Sequence, residues 1–282
     1  MPRFEATRSE SGFTLVEAVM VIAIVGVLAA VVSRFIVPPV QAYASTQARA
    51  ALLDQADLAL RRIGRDLRIA LPNSARVSAS GLALELIPSS GAARYRTEGA
   101  NRLQFGTLAT SFDLIGPPLN LGASQNLVFY NLGPGVGGSD AYAANGSAAE
   151  QADSNRRIST TAAGVAASIT MSSLAGLPVA DFAPPYRVFA VEPPVSYRCD
   201  LASGTLTRFA GYGFFAAQPD PPPSASGAVL ASGVTACRFS ADAAVVAARA
   251  ALVNLALTLT ATTPSGSESV TLHHAVHIDN LP

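Results

Sequence analysis

A carboxylate stands near the head of an otherwise apolar run. In Gly12-Phe13-Thr14-Leu15-Val16-Glu17 the acid opens a segment that stays free of further charge to Val32, and from Phe13 to Val32 a helix would rise about 30 Å, enough to cross a bilayer. An ionised carboxylate near a bilayer core costs roughly 2.5 to 3.5 kcal/mol even on lenient insertion scales. Glu17 is therefore a functional candidate by position alone. A lone charge there is expelled, whereas a paired one can set the stagger between neighbouring helices.

Two ordinary readings compete: a signal anchor, or a secretory signal removed by signal peptidase. The run is longer than a usual signal core. No A-x-A site closes it, since Ala29 and Ala30 are followed by Val31, Val32, Ser33 and Arg34, and a glutamate inside such a core is unusual. The hexapeptide G-F-T-L-V-E resembles a type IV prepilin cleavage site. That resemblance implies a prepilin peptidase that cuts between Gly12 and Phe13, N-methylates the new amine of Phe13, and leaves Glu17 as the fifth residue of the mature chain. It also implies that Glu17 pairs with the N-terminal amine of a neighbouring subunit.

With 282 residues, half of them hydrophobic, and zero formal net charge, the chain has material for one sizeable domain behind a helix, or two small ones. Every basic residue is arginine, and these are scattered rather than gathered into a stripe, which argues against nucleic acid as a partner. Cys199 and Cys237 are the two cysteines. They are not in a C-x-x-C arrangement, which removes the usual redox reading. In a cytosolic protein they would be free thiols; in a chain exported as the resemblance implies, they are expected to form a disulfide contributing roughly 3 to 4 kcal/mol.

The organisation reads as a leader (1–12), a transmembrane helix (13–37), an amphipathic helix (38–72) and a β-rich region (73–282). The leader balances Arg3 and Arg8 against Glu5 and Glu10. Pro38-Pro39 predicts a kink or break. From Val40 to Leu71 one apolar stripe runs through Leu52, Ala56, Ala59, Ile63, Leu67 and Leu71. Arg49, Asp57, Arg61, Arg62, Arg65, Asp66 and Arg68 make the opposite face, read as solvated, with Asp57–Arg61 and Arg62–Asp66 at pairing distance. Pro72 and Asn73 are expected to end the helix.

Beyond Pro72 the period becomes two. Leu82, Leu84 and Leu86 alternate with Ala83 and Glu85; Leu103 and Phe105 flank Gln104; Leu127 to Tyr130 is a short apolar run. Gly133 to Asn155, rich in Gly, Ala, Ser, Asn and Asp, is expected to be a long surface loop. Strands are predicted at 186–191, 195–199, 204–209, 234–239, 251–260 and 269–278, with breaks at Pro193-Pro194, at 218–226 and at 263–266. Leu255, Leu257 and Leu259 face one way and Asn254, Thr258 and Thr260 the other. The fold class is therefore α+β, a long N-terminal helix packed on an antiparallel β-rich domain.

Little else suggests chemistry. Gly133, Gly135 and Gly138 match G-x-G-x-x-G formally, but Pro134 removes a donor and no β-α-β unit surrounds them. His273, His274 and His277 cluster near the C-terminus. On a strand His273 and His277 share a face with Asp279, about 13 Å apart and too far to chelate one ion, so a structural or partner-facing role is expected and no metal. No G-x-S-x-G, no H-E-x-x-H and no marked carboxylate pair occurs. We expect neither an enzyme nor a cofactor.

Three further segments carry a more specific resemblance: Asp66 to Ser74, Tyr197-Arg198-Cys199 with Cys237-Arg238-Phe239, and Val276 to Pro282. Together they resemble the MshO family, minor pilin-like proteins of the mannose-sensitive haemagglutinin (MSHA) pilus system. Such a protein would sit in the inner membrane with a periplasmic β domain, then enter a pilus or prime its assembly. Its partners would be the prepilin peptidase, other pilins met through the N-terminal helix, and the assembly platform. A J-like minor pseudopilin of type II secretion shares the same N-terminal physics, and a signal-anchored periplasmic binding module is the reading from another class.

Overall fold

A computed structural model describes residues 12–223, 226–241 and 250–282. Of the expected leader, only Gly12 lies within the described residues. Helices α1 (Leu15–Phe35) and α2 (Val37–Arg68) open the chain. Then come β1 (Arg76–Val77), β2 (Ala83–Leu86), β3 (Ser89–Tyr95), β4 (Ser111–Ile115), β5 (Leu119–Leu121), β6 (Asn126–Phe129) and a short α3 (Ala148–Ala152). The remainder holds β7 (Arg156–Ser159), β8 (Gly164–Ala166), β9 (Ser168–Ser172), β10 (Arg187–Val191), β11 (Val195–Asp200), β12 (Thr205–Ala210), β13 (Ser226–Ser232), β14 (Val234–Ala241), β15 (Ala250–Thr263) and β16 (Gly266–Asp279). An apolar helix followed by an antiparallel β-rich region is the α+β arrangement expected.

The helical break falls at Ile36, just ahead of Pro38-Pro39. Both prolines occupy the first turn of α2, where a missing N–H is tolerated, but neither can donate to the carbonyls of Arg34 and Phe35. At its other end α2 stops at Arg68, short of Pro72. The backbone there turns to sheet-like pairing instead: Leu71 N–H donates to Ile87 O at 2.7 Å and Ser89 N–H to Ile69 O at 2.8 Å. Leu71 precedes a proline, which disfavours helical backbone at that position.

The chain divides into two compact units. One contains α1, the start of α2 and the tip of the β15–β16 hairpin, where Arg49 pairs with Glu268 at 2.9 Å and the Ser45 and Ser265 hydroxyls meet at 2.7 Å. The other runs from Ala51 to Ala261 and resumes at Ser269.

In this second unit a five-stranded sheet, ordered β1-β2-β11-β12-β13, and a three-stranded sheet, β14-β15-β16, share a core with α2. The predicted stripe supplies Leu52, Ala56, Ala59, Ile63 and Leu67, packed among Leu84, Tyr197, Leu206, Leu255, Leu257 and Val276. Burying each large aliphatic side chain is worth about 1.5 to 3 kcal/mol. Strand β16 follows the predicted alternation, with Val270, Val276 and Ile278 buried while Thr271, His273, Ala275, His277 and Asp279 are exposed.

Strands β2 and β11 are direct neighbours, with Val195 opposite Leu86 and Arg198 opposite Ala83. The stretch from Ser89 to Val191 is looped out between them; six of its strands close into a barrel, ordered β10-β3-β4-β9-β7-β6, while β5 and β8 pair separately. Its interior holds Tyr95, Phe112, Leu127, Phe129, Ile169, Met171 and Val188.

Four local expectations need correction. Strand β2 is buried on both faces, not one, because Glu85 is covered completely and held by Arg76. Leu103 and Phe105 form no strand; Leu103 is buried in the barrel core, and Phe105 makes a single bridge to Leu177. Gly133 to Asn155 is no surface loop, since Ser139, Asp140, Ala141, Tyr142, Gln151, Ser154 and Asn155 are buried and residues 148–152 form α3. Finally, Asp66 leaves the solvated face of α2 for the interior.

Candidate processing and assembly site

Thr14 starts α1. Its backbone is extended and its hydroxyl accepts the N–H of Glu17 at 3.3 Å, the usual arrangement of a threonine N-cap. This puts Glu17 in the first turn, where the helix dipole favours a negative charge. The helix then runs 21 residues, about 32 Å at 1.5 Å per residue. No residue of α1 is buried, and it is apolar on every side, as a membrane span is. Its ionisable side chains are Glu17 and Arg34, at opposite ends and about 25 Å apart along the axis. Glu17 therefore has no counter-ion on its own helix.

Gly12 and Phe13 lie just ahead of the cap in non-helical backbone, both exposed, Phe13 by 75%. A Cβ placed on Gly12 meets no heavy atom of the described residues within 4 Å. Packing among the described residues does not ask for glycine there. The same holds for packing around Gly26 in mid-helix, where glycine costs about 1 kcal/mol relative to alanine.

Residues 7–33 match the family described as the prokaryotic N-terminal methylation motif. The N-terminus is pilin-type. No curated protein matches the chain, and no solved structure does. The β-rich region, beyond the matched residues, stands on its own geometry.

Three segments, Asp66 to Ser74, Tyr197-Arg198-Cys199 with Cys237-Arg238-Phe239, and Val276 to Pro282, are joined to one another. Tyr197 donates its hydroxyl to Asp66 Oδ2 at 2.6 Å, and Arg208 Nε reaches the same oxygen at 3.0 Å. Asn73 donates its backbone N–H to Asn280 Oδ1 and its side-chain amide to Asn280 O, each at 3.1 Å. Cys199 and Cys237 are joined by a disulfide that ties β11 to β14. Burial, and then the hydrogen bond to Asp66, push the Tyr197 hydroxyl above its ordinary range.

The other candidates do not assemble. His273 and His277 stand on the exposed face of β16, while His274 turns inward, its Nε2 3.2 Å from where a Cβ on Gly64 of α2 would sit. In the glycine loop Asp140 takes the donors itself: its Oδ2 accepts Gly135 N–H and its Oδ1 accepts Tyr142 N–H, both at 2.8 Å. Those amides face a carboxylate of the same loop rather than a phosphate. Among the described residues no group of three or more acidic, histidine or cysteine side chains is placed to hold a metal.

Several buried polar groups escaped the sequence reading. Glu85 is fully buried between Arg76, at 2.5 Å, and the hydroxyl of Tyr212, at 2.8 Å; burial raises its pKa against the pull of Arg76. The Arg76 guanidinium also lies over the Tyr142 ring. In the barrel, Arg157 is fully buried and donates to five backbone carbonyls and Ser173 Oγ, stitching residues 151–156 to 173–176. Nearby Asp181 is also fully buried; Ser139 donates to its Oδ1 at 2.5 Å and its Oδ2 has no partner. Burial pushes this carboxyl up to about 7, against Ser139 and Arg157. No short motif announces these groups: Arg157 is satisfied largely by backbone carbonyls, which any sequence supplies, and Tyr212 and Ser139 lie far in sequence from Glu85 and Asp181.

Proposed function

We infer that the chain is a minor pilin or pseudopilin of an MSHA-type type IV pilus system. Prepilin peptidase cleaves between Gly12 and Phe13 and methylates the amine of Phe13, and the β-rich domain stands in the periplasm while α1 (Leu15–Phe35) holds the inner membrane. During assembly α1 joins the helices of neighbouring pilins, and Glu17 takes the Phe13 amine of a neighbour as its counter-ion. The chain acts as a structural subunit, incorporated into the fibre or priming it, and not as an enzyme.

One observation carries this reading: an acid sits at the start of a helix that buries none of its residues and offers no base within about 25 Å along its axis. The partner must come from outside the helix, and a newly cut amine four residues upstream in a parallel neighbour supplies a positive charge at the right end. No packing among the described residues requires a glycine at position 12, which fits recognition by an external peptidase. The MSHA assignment is supported by the resemblance of the segments that meet at the exit of α2.

The test is Glu17→Ala in a strain that makes the pilus. Cleavage at Gly12 is expected to persist while pilus number or function falls. Wild-type pili with the variant would remove the role of Glu17, and loss of type II secretion with pili intact would contradict the MSHA assignment.

A further inference from the structure

The side of α2 that faces away from the core is neither uniformly polar nor randomly charged. Asp54, Leu58, Arg61, Arg65 and Arg68 are all exposed and follow one another at steps of four, three, four and three, which is a single seam along a helix. Leu58 is 68% exposed in the middle of it, and Ile69 just beyond is 50% exposed. Acids lie at the N-terminal end, with Asp57 flanking Asp54, and bases lie at the C-terminal end. Asp57 bonds Arg61 within the helix at 2.6 Å, but Asp54, Arg65 and Arg68 take part in no ion pair among the described residues. The helix dipole accounts for bases in the last turn. It accounts for neither the acids further up nor the exposed leucine.

The spacing makes the seam complementary to itself. A shift of eleven residues is close to three helical turns, so it returns to the same face and displaces it by about 16 Å. It takes Asp54 to the level of Arg65, Asp57 to that of Arg68, and Leu58 to that of Ile69. All three matches join unlike charges or apolar pairs; an antiparallel pair centred on Arg61 would also set Asp54 against Arg68 and Asp57 against Arg65, but it would leave the exposed Leu58 opposite the buried Gly64.

We propose that this seam binds the α2 helix of a second copy of the chain, parallel and displaced by about 16 Å, with Asp54 and Asp57 of one copy against Arg65 and Arg68 of the other. The parallel orientation rests on the pilin reading above, which anchors both copies through α1 on the same side of one membrane.

The experiment uses the full chain in its membrane, with two differently tagged copies expressed together. The native cysteines are joined to each other, leaving no other free cysteine among the described residues to compete. Asp54→Cys in one copy and Arg65→Cys in the other should cross-link under mild oxidation more than the 54–54 or 65–65 pairs. Reversing Asp54 and Asp57 to Arg in one copy, in a cross-link read from Leu58→Cys to Ile69→Cys, should lower the yield roughly threefold or more, exposed pairs being individually weak. Reversing Arg65 and Arg68 to Asp in the other copy should restore it.

Equal yields at 54–54 and 54–65, or a reversal with no effect, would overturn the proposal. So would capture of a different pilin in place of the second copy. The N-terminus is read in the same samples: an uncut leader indicts the pilin reading, whereas a chain beginning at Phe13 without the 54–65 cross-link indicts the seam alone.

Discussion

Asp66→Ala should loosen the attachment of α2 to the sheet by an amount that can be worked out. The carboxylate is 7% exposed and accepts from Tyr197 at 2.6 Å and Arg208 at 3.0 Å, with Arg62 at 3.4 Å. Removing it strands the hydroxyl of Tyr197, whose side chain is fully buried, at about 1 to 3 kcal/mol. Arg208 is 22% exposed and recovers part of its hydration, so its loss adds about 1 kcal/mol. The total of about 2 to 4 kcal/mol overlaps the usual cost of breaking a buried pair from one side. At about 2 to 4 °C per kcal/mol for a region of this size, Tm should fall by about 4 to 16 °C. Denaturant unfolding followed by far-UV circular dichroism suits a chain without tryptophan. Tyr197→Phe should cost about 1 kcal/mol, and the double variant less than the sum, because no hydroxyl is then stranded. A loss below 1 kcal/mol for Asp66→Ala, or strict additivity, would refute the argument.

Further outcomes follow from the same geometry. Replacing Cys199 and Cys237 by alanine opens a loop with a sequence separation of 38 and should cost about 4 kcal/mol on the chain-entropy account, seen as a lower denaturant midpoint; an unchanged midpoint would contradict it. Asp181 has a folded pKa raised from 3.8 to about 7, so its contribution is full below the unfolded value and is lost as pH rises through about 7. Wild type should therefore lose stability between pH 4 and 8, with a ceiling of about 4 kcal/mol from this group, and Asp181→Asn should flatten that slope; midpoints at pH 5 and pH 8 decide.

What the sequence disclosed follows from how each element is buried. Helix α2 and strands β15 and β16 bury one face against a single core, so Leu52 to Leu67 showed a helical period and Leu255 to Leu259 a period of two. The acid at Glu17 was visible because it breaks an unbroken apolar run. The barrel was hidden because its strands are short and some of its inward positions are small. In β3 these include Gly91 and Ala93, and a Cβ on Gly91 would come within 2.8 Å of Leu119 Cδ1.

The segment from Gly133 to Asn155 looked like surface because its interior contacts are polar. Asn131 Oδ1 accepts Ala141 N–H at 2.9 Å, and Tyr142 donates to Ser74 O at 2.9 Å, so side chains supply the pairing that apolar residues would otherwise replace. Strand β13 escaped notice because it is an edge strand with most of its residues exposed. Asp66 was assigned to the solvated face from helical geometry, yet the hydroxyl of Tyr197, far away in sequence, makes its burial possible.

The most direct test of the account is the intact mass and N-terminal peptide of the membrane-extracted protein, made with and without prepilin peptidase. A chain that begins at N-methylated Phe13 only when the peptidase is present is the predicted result. An uncut chain, or one cut near Ala30, would contradict the pilin mechanism and leave Glu17 without the amine that the account gives it.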